Sequence, residues 1–337
     1  MNITDVARKA GVSKTTVSRV LAGSDSVKLS TKERVLEVID KMGYTPNTSA
    51  QMLAGGRNRV IGIINDTGVS DPFYGYVNDL LASKLRKHGY NVIYTTAPNK
   101  GESCNREIAM LYGKVDAFIF TGDIHDHDKQ YREGIEKLIM SNIPVALFKA
   151  GIRLEHALSV DVDNEAGGEM AYSFLAAKKY KRIGYMHGSE NAEQIDFYEG
   201  MERERGFATA AFRNHEQNIT SFYCSRDFKK AYAAAKDVID SGIDALFCET
   251  DLMAYGVIEG ITDMGYKVPD RVAIIGFDGF KFSNYETMIK LTTILQPLTE
   301  LADYVCEQLI AQIGTGGAFL QSKNKIFMPT IIRGKTA

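Results

Sequence analysis

The chain has 337 residues, with 40 Lys and Arg against 42 Asp and Glu, a near balance that conceals an uneven distribution. Four cysteines without paired spacing give no disulfide framework and fit a reducing compartment. No stretch of about 18 apolar residues occurs, which excludes a membrane span of that kind, and residues 1–25 are amphipathic and broken by charge rather than a secretory signal.

In chain order, the first segment reads as three short helices. Asn2 caps a helix with Asp5 in its first turn and an apolar face of Ile3, Val6 and Ala10. Gly11 supplies the turn, and Ser13 caps a second helix. Val17, Val20 and Leu21 face inward there, leaving Lys14, Thr15, Ser18 and Arg19 on the other side. Ser30-Thr31-Lys32-Glu33 reads as a capping box opening a third helix, with Val35, Leu36, Ile39 and Met42 as its inward stripe, and Gly43 ends it. Two short helices joined by a glycine turn and followed by a third are the pattern of a helix-turn-helix DNA reader. Residues 1–59 hold ten cations against five anions, so the remainder of the chain is acidic. A basic head on an acidic body places any polyanion contact at the head.

After Val60, apolar runs of strand length (Val60–Ile64, Asn91–Tyr94, Ala117–Phe120, Val145–Phe148, Ile183–Met186, Ala245–Cys248, Val272–Ile275) alternate with segments of helical period (Tyr74–His88, Ile135–Ser141, Glu165–Lys178, Asp227–Ser241, Leu252–Gly265, Leu298–Ile313). Buried strands alternating with amphipathic helices predict an α/β body of parallel sheets covered on both faces. Its length favours two lobes over one.

The head and the body together resemble the LacI/GalR family of bacterial transcription regulators. The resemblance rests on Asp5-Val6-Ala7, Ala10-Gly11-Val12-Ser13, Thr16-Val17-Ser18-Arg19-Val20-Leu21 and Gly43-Tyr44-Thr45-Pro46-Asn47. Asp71-Pro72-Phe73, Val162-Asp163-Asn164, Ile275-Gly276-Phe277-Asp278, Leu291-Thr292-Thr293 and Gln296-Pro297 add to it. It implies a helix-turn-helix domain over 1–46, a hinge helix and linker over 47–59, and a two-lobed, periplasmic-binding-protein-like effector and dimerisation domain over 60–337. Lys14, Thr15 and Arg19 would then reach base edges in the major groove, while Ser13, Thr16 and Asn47 hold phosphates. Leu53 would wedge into the minor groove, and the small Ala50 would permit close approach. A hinge this short needs DNA and a second copy to order it.

Ligands of such folds sit beyond the carboxyl ends of the strands. Asp66, Phe73, Thr121, Lys149, Asp163, Phe197, Thr250 and Asp278 fall there, with Asp278 the foremost, since a carboxylate accepts two hydroxyl hydrogen bonds. The bland reading of Asp163, Thr250 and Asp251 is a helix cap. Ala22 departs from the family pattern in the head, where an amide side chain is usual, and three positions depart in the body: Phe197 replaces a common Arg, Thr250 a common Asn, and Lys149 a common Asp. A changed charge pattern points to a changed effector: a sugar, a sugar acid or a sugar phosphate, with Lys149 available to an anionic group.

The expectation is therefore a cytoplasmic, homodimeric, effector-responsive regulator, a repressor of a sugar or related catabolic operon on a near-palindromic operator, with no cofactor. The last residues show no heptad extension, so no coiled-coil tetramer is expected. Phosphate-loop, nucleophile-elbow and dinucleotide motifs are absent from the sequence. His125-Asp126-His127-Asp128 is a weak metal motif because adjacent residues rarely converge on one ion. The alternatives are a solute-binding protein of the same core fold and a sugar-converting enzyme with a DNA-binding head.

Overall fold

The structure is a computed structural model that describes residues 2–21, 26–44, 57–66, 71–97, 101–122, 124, 129–191, 198–215, 218–280 and 289–337. It divides into two compact units, Met1–Asn58 and Arg59–Ala337. The predicted hinge residues 47–56, Phe197 and the His125–Asp128 cluster lie outside the described residues.

The first unit contains α1 (Ile3–Ala10), α2 (Lys14–Leu21) and α3 (Leu29–Met42). Asn2 and Asp5 form a reciprocal capping box at α1, and Gly11 ends that helix with φ of 64°. Ser13 Oγ accepts from the Thr16 backbone N–H at 3.0 Å, which starts α2 as the sequence predicts. Val6, Ala7, Ala10, Val17, Val20, Val35 and Tyr44 form the core of this unit. Two expectations fail at α3. The helix begins at Leu29, behind Lys28, with no side-chain cap, so Ser30 is already helical and the predicted box does not form. Leu36 is half exposed, because Val35 takes the inward position and a helix of 3.6 residues per turn turns its neighbour by about 100°.

The second unit has two six-stranded sheets. The first runs in the order β11 (Lys323–Phe327), β5 (Leu158–Val162), β4 (Val145–Phe148), β3 (Ala117–Thr121), β1 (Val60–Asn65), β2 (Asn91–Thr96). The second runs β12 (Thr330–Ile332), β10 (Thr292–Leu295), β9 (Ala273–Asp278), β8 (Ala245–Cys248), β6 (Ile183–His187), β7 (Thr220–Tyr223). Among the described residues, every pairing is parallel except β10 with β12. Strand alternation explains the layers. Ala117 and Ile119 of β3 face one core, under α4 (Pro72–Lys87) and α11 (Leu298–Thr315), while Phe118 and Phe120 face another, under α5 (Gly101–Leu111) and α6 (Lys129–Met140). The second sheet is covered likewise by α7 (Asn164–Ala177) and α8 (Tyr198–Arg213) on one face and by α9 (Phe228–Asp240) and α10 (Asp251–Asp263) on the other. The chain passes between the lobes three times: between β5 and α7, between β10 and α11, and between β11 and β12.

Helices α7 and α8 approach unusually closely, and two glycines make this possible. A Cβ on Gly168 would lie 1.9 Å from the Arg203 carbonyl oxygen, and one on Gly206 would lie 1.8 Å from that of Glu165. Neither backbone can yield locally, so the helix pair is locked in register. Gly206→Ala is therefore expected to destabilise the second unit by about 1–3 kcal/mol, seen as a lower urea midpoint with unchanged m-value.

Candidate DNA-reading face and effector cleft

On α2, burying Val17 and Val20 leaves Lys14, Thr15, Ser18 and Arg19 exposed together. Ser13 and Thr16 are hydrogen-bonded to each other through their hydroxyls at 2.9 Å, at the amino end of the same helix. This is a short helix with a basic, hydroxyl-bearing outer face, held by three-helix packing from behind.

In the body, the carboxyl ends of the strands of both lobes carry a buried polar network. Lys149 follows β4 with φ of 54°, and Asp278 ends β9 with φ of 120°. Two non-glycine residues in the left-handed region, both at strand ends, are positions where the surrounding fold overrides local preference. The Lys149 ammonium, fully buried, donates to Glu199 of α8 and to Gln296 Oε1 at 2.6 Å. Gln296 Nε2 in turn donates to Asp278 Oδ1 at 2.7 Å. Arg203 reaches into the same space. Its Nε donates to Asn164 Oδ1 at 3.0 Å, its Nη1 to the Glu249 carbonyl at 2.7 Å, and its guanidinium lies 3.7 Å from the Phe277 ring centroid. Arg226 completes the set, 3.6 Å from both Glu199 and Glu249.

Phe73 covers the network from the first lobe. Its ring lies 5.7 Å from the Lys149 ammonium and 6.3 Å from the ring of Phe280, which belongs to the second lobe and also touches Tyr76 at 5.0 Å. Beside the network, Ser159, Asp161, Arg153, Tyr198 and Lys325 line a cavity of about 20 Å³, room for roughly one water molecule. The lobes are thus closed on their own side chains.

The predicted residues separate into three groups. Lys149, Asp278 and Phe73 converge. Asp66 and Thr121 lie together at the ends of β1 and β3: the Asp66 N–H donates to the Thr121 carbonyl at 3.3 Å, and Asn65 Nδ2 donates to Thr121 Oγ1 at 2.9 Å. Asp163 and Thr250 cap α7 and α10, accepting from Ala166 and Met253. Asp251 is not a cap. It is buried in the first turn of α10, where it accepts from Thr293 Oγ1 at 2.5 Å and the Phe280 N–H at 3.0 Å.

Glu199, Arg203, Arg226, Glu249, Asp161 and Gln296 were not among the predicted site residues. Gln296 carried a signal as part of the Gln296-Pro297 motif, and the Glu199–Arg203 pair one of helical i,i+4 spacing, which usually marks an exposed face. Lys149 is already engaged by Glu199 and Gln296, so an anionic group would meet it only by displacing one of them. All four cysteines are buried thiols. Among the described residues, no group of three or more ligating side chains could hold a metal, and no helix is long and apolar enough to cross a membrane.

Residues 2–47 match the model of bacterial regulatory proteins of the lacI family, and residues 172–337 match that of a periplasmic binding protein-like domain. Catabolite control protein A of Priestia megaterium is 31% identical over 314 residues, which cover 89% of this chain and 90% of that protein. The chain belongs to the LacI family. The ribose operon repressor of Lactococcus lactis is 28% identical over 97% of this chain and 94% of its own. A crystal structure of the lac repressor dimer bound to operator and the anti-inducer ONPF has the same fold, with a TM-score of 0.80 at 22% identity, covering all of this chain and 98% of that one. As a family member the chain is a ligand-responsive, DNA-binding transcription regulator, and these relatives are regulators rather than enzymes.

The cleft carboxylates shift in opposite directions. Burial pushes Asp278 and Asp161 up to about 6, against the pull of Arg203 and Lys149 on Asp278 and of Lys149 on Asp161. Burial would raise Glu199 too, but Lys149, Arg203 and Arg226 hold it down at about 2. Asp278 and Asp161 bind protons more tightly folded than unfolded. Their contribution is present below their ordinary pKa and is lost as pH rises through about 6. Glu199 contributes above its ordinary value and loses that only as pH falls toward about 2. In Asp278→Asn, the deficit in Tm relative to wild type should therefore be larger at pH 4.5 than at pH 7.5, a trend that thermal melts at roughly these two pH values would check.

Proposed function

We propose that this regulator is a repressor of a sugar or related catabolic operon, and that it binds a near-palindromic operator as a dimer through Lys14, Thr15 and Arg19 of α2. Ser13 and Thr16 would serve the phosphates, and Asn47, Ala50 and Leu53 the hinge contacts. The observation that carries the reading is the exposed Lys14-Thr15-Arg19 face on a helix packed from behind. Arg and Lys match the paired acceptors of guanine, and Thr offers both a hydroxyl and a methyl. The names of its relatives support it: a ribose operon repressor, a catabolite control protein, and a lac repressor dimer on its operator.

The effector would enter between the lobes and contact Asp66, Phe73, Thr121, Lys149 and Asp278, with Asp278 accepting hydroxyl hydrogen bonds. Asp163 and Thr250 support that wall as helix caps, and Phe197 is proposed to line it. The effector changes operator affinity only by binding one lobe arrangement better than another. The cellular compartment is proposed to be the cytoplasm.

An operator selected from random duplexes with the full-length protein should be palindromic. Arg19→Ala should weaken that operator by about 5- to 150-fold, the range of one good base contact, and relax the selected sequence at one position per half-site. Equal binding of selected and scrambled duplexes by the wild type would overturn the reading.

A further inference from the structure

Glu199 is in an unusual position for a side chain of a ligand-binding wall. Three cations converge on its carboxylate: Lys149 from the first lobe, and Arg203 and Arg226 from the second. The side chains of Lys149, Arg203 and Glu199 are 0%, 1% and 5% exposed, so the cluster is shielded from water. A buried cation needs a partner, since nothing else offsets its loss of hydration. Glu249 lies near Arg226 and Asp278 near Arg203, but Glu199 is the carboxylate that all three cations share.

The fit is incomplete. Arg203 Nη2 is buried and makes no hydrogen bond, although the other two nitrogens of that guanidinium do. It lies 3.5 Å from Glu199 Oε2 and 4.0 Å from Asp278 Oδ1, close enough to attract but too far to bond well. Arg226 Nη1 stands 3.6 Å from the same Glu199 oxygen. Tethered by α8, Glu199 meets one cation closely and two at a distance. A group arriving from a free molecule would carry no such tether.

We propose that Lys149, Arg203 and Arg226 form an anion subsite, that Glu199 is its built-in surrogate, and that a carboxylate or phosphate group of the effector displaces it. This rests on the reading of the interlobe cleft as the effector site and names the chemistry of that effector. Displacement rather than addition follows from charge. Glu199, Glu249 and Asp278 already oppose the three cations, and a fourth anion would be buried without compensation. Glu199 is the second residue of α8, so its side chain is released by rotation at a helix end, with the helix interior undisturbed. Because Lys149 belongs to the other lobe, the surrogate also holds the lobes closed before any effector arrives.

Chemical rescue tests this on the full-length protein. Glu199→Ala should lower Tm, and acetate or inorganic phosphate should recover at least half of the loss when compared with chloride at equal ionic strength. The wild type should show no such preference. Recovery mainly by acetate assigns a carboxylate, and recovery mainly by phosphate assigns a phosphate group. Glu199→Gln, which keeps the shape without the charge, covers the case in which the alanine variant fails to fold. Adding Lys149→Met to either should abolish the rescue. In a parallel titration, any acidic or phosphorylated sugar that binds the wild type should bind Glu199→Ala at least tenfold more tightly. Anions no better than chloride on either Glu199 variant would overturn the proposal, as would binding confined to neutral sugars. Operator selection with the wild type is independent of the rescue, so its failure would strike the regulator reading and leave the subsite standing.

Discussion

The region between the two lobes is arranged around charges taken out of water. Moving an ion into a protein interior costs several kcal/mol even after relaxation, and that cost is recovered only by close partners. Lys149, Glu199, Arg203, Arg226, Glu249 and Asp278 meet this condition jointly and not in isolated pairs. The cost also explains why the elements that deliver them are so rigid. The strand ends bearing Lys149 and Asp278 are held in left-handed backbone conformations, and α8 is fixed against α7 by carbonyl contacts at Gly168 and Gly206. Arg203 itself lies at one of those contacts, so the packing that locks the helices also aims the guanidinium.

The same network joins the lobes. Lys149 and Phe73 belong to the first sheet's lobe, and Glu199, Asp278 and Phe280 to the second. Three chain crossings permit relative motion of two rigid layers, while the buried polar contacts between them set which arrangement is favoured. A molecule entering there competes with interactions the protein already makes with itself. Its effect on DNA binding is bounded by the difference it makes to that competition. The head supplies the other half of the device: a small apolar core presenting one basic helix face, chemically unlike the acidic body.

How much was readable depended on the range of the interactions. Asn2, Gly11 and Ser13 act on backbone within three or four residues, and their roles follow from local chemistry. The strands buried on both faces announced themselves as continuous apolar runs, such as Ala117–Phe120. The strands missed lack such a run: β5 alternates Ser159 and Asp161 with apolar residues, β11 is an exposed Lys-rich edge, and β7, β10 and β12 are short and begin with Thr. Leu36 and Ser30 show the limit within a helix: an earlier start leaves Ser30 inside the helix and not capping it, and Leu36 lies off the stripe of Val35, Ile39 and Met42 that packs inward.

The sequence by itself determined the family, the two-part organisation, the outer face of α2 and the place of Lys149 and Asp278 at strand ends, because motif spacing and strand ends are properties of the local chain. Only the tertiary structure decided that Lys149 is neutralised by Glu199, that Asp251 binds Thr293 rather than capping its helix, and that Arg203 and Arg226 enter the cleft. The reason is physical. A strand end can be placed from the local chain, but the partners that bury and neutralise Lys149 lie 50 and 147 residues away and leave no mark on that local pattern.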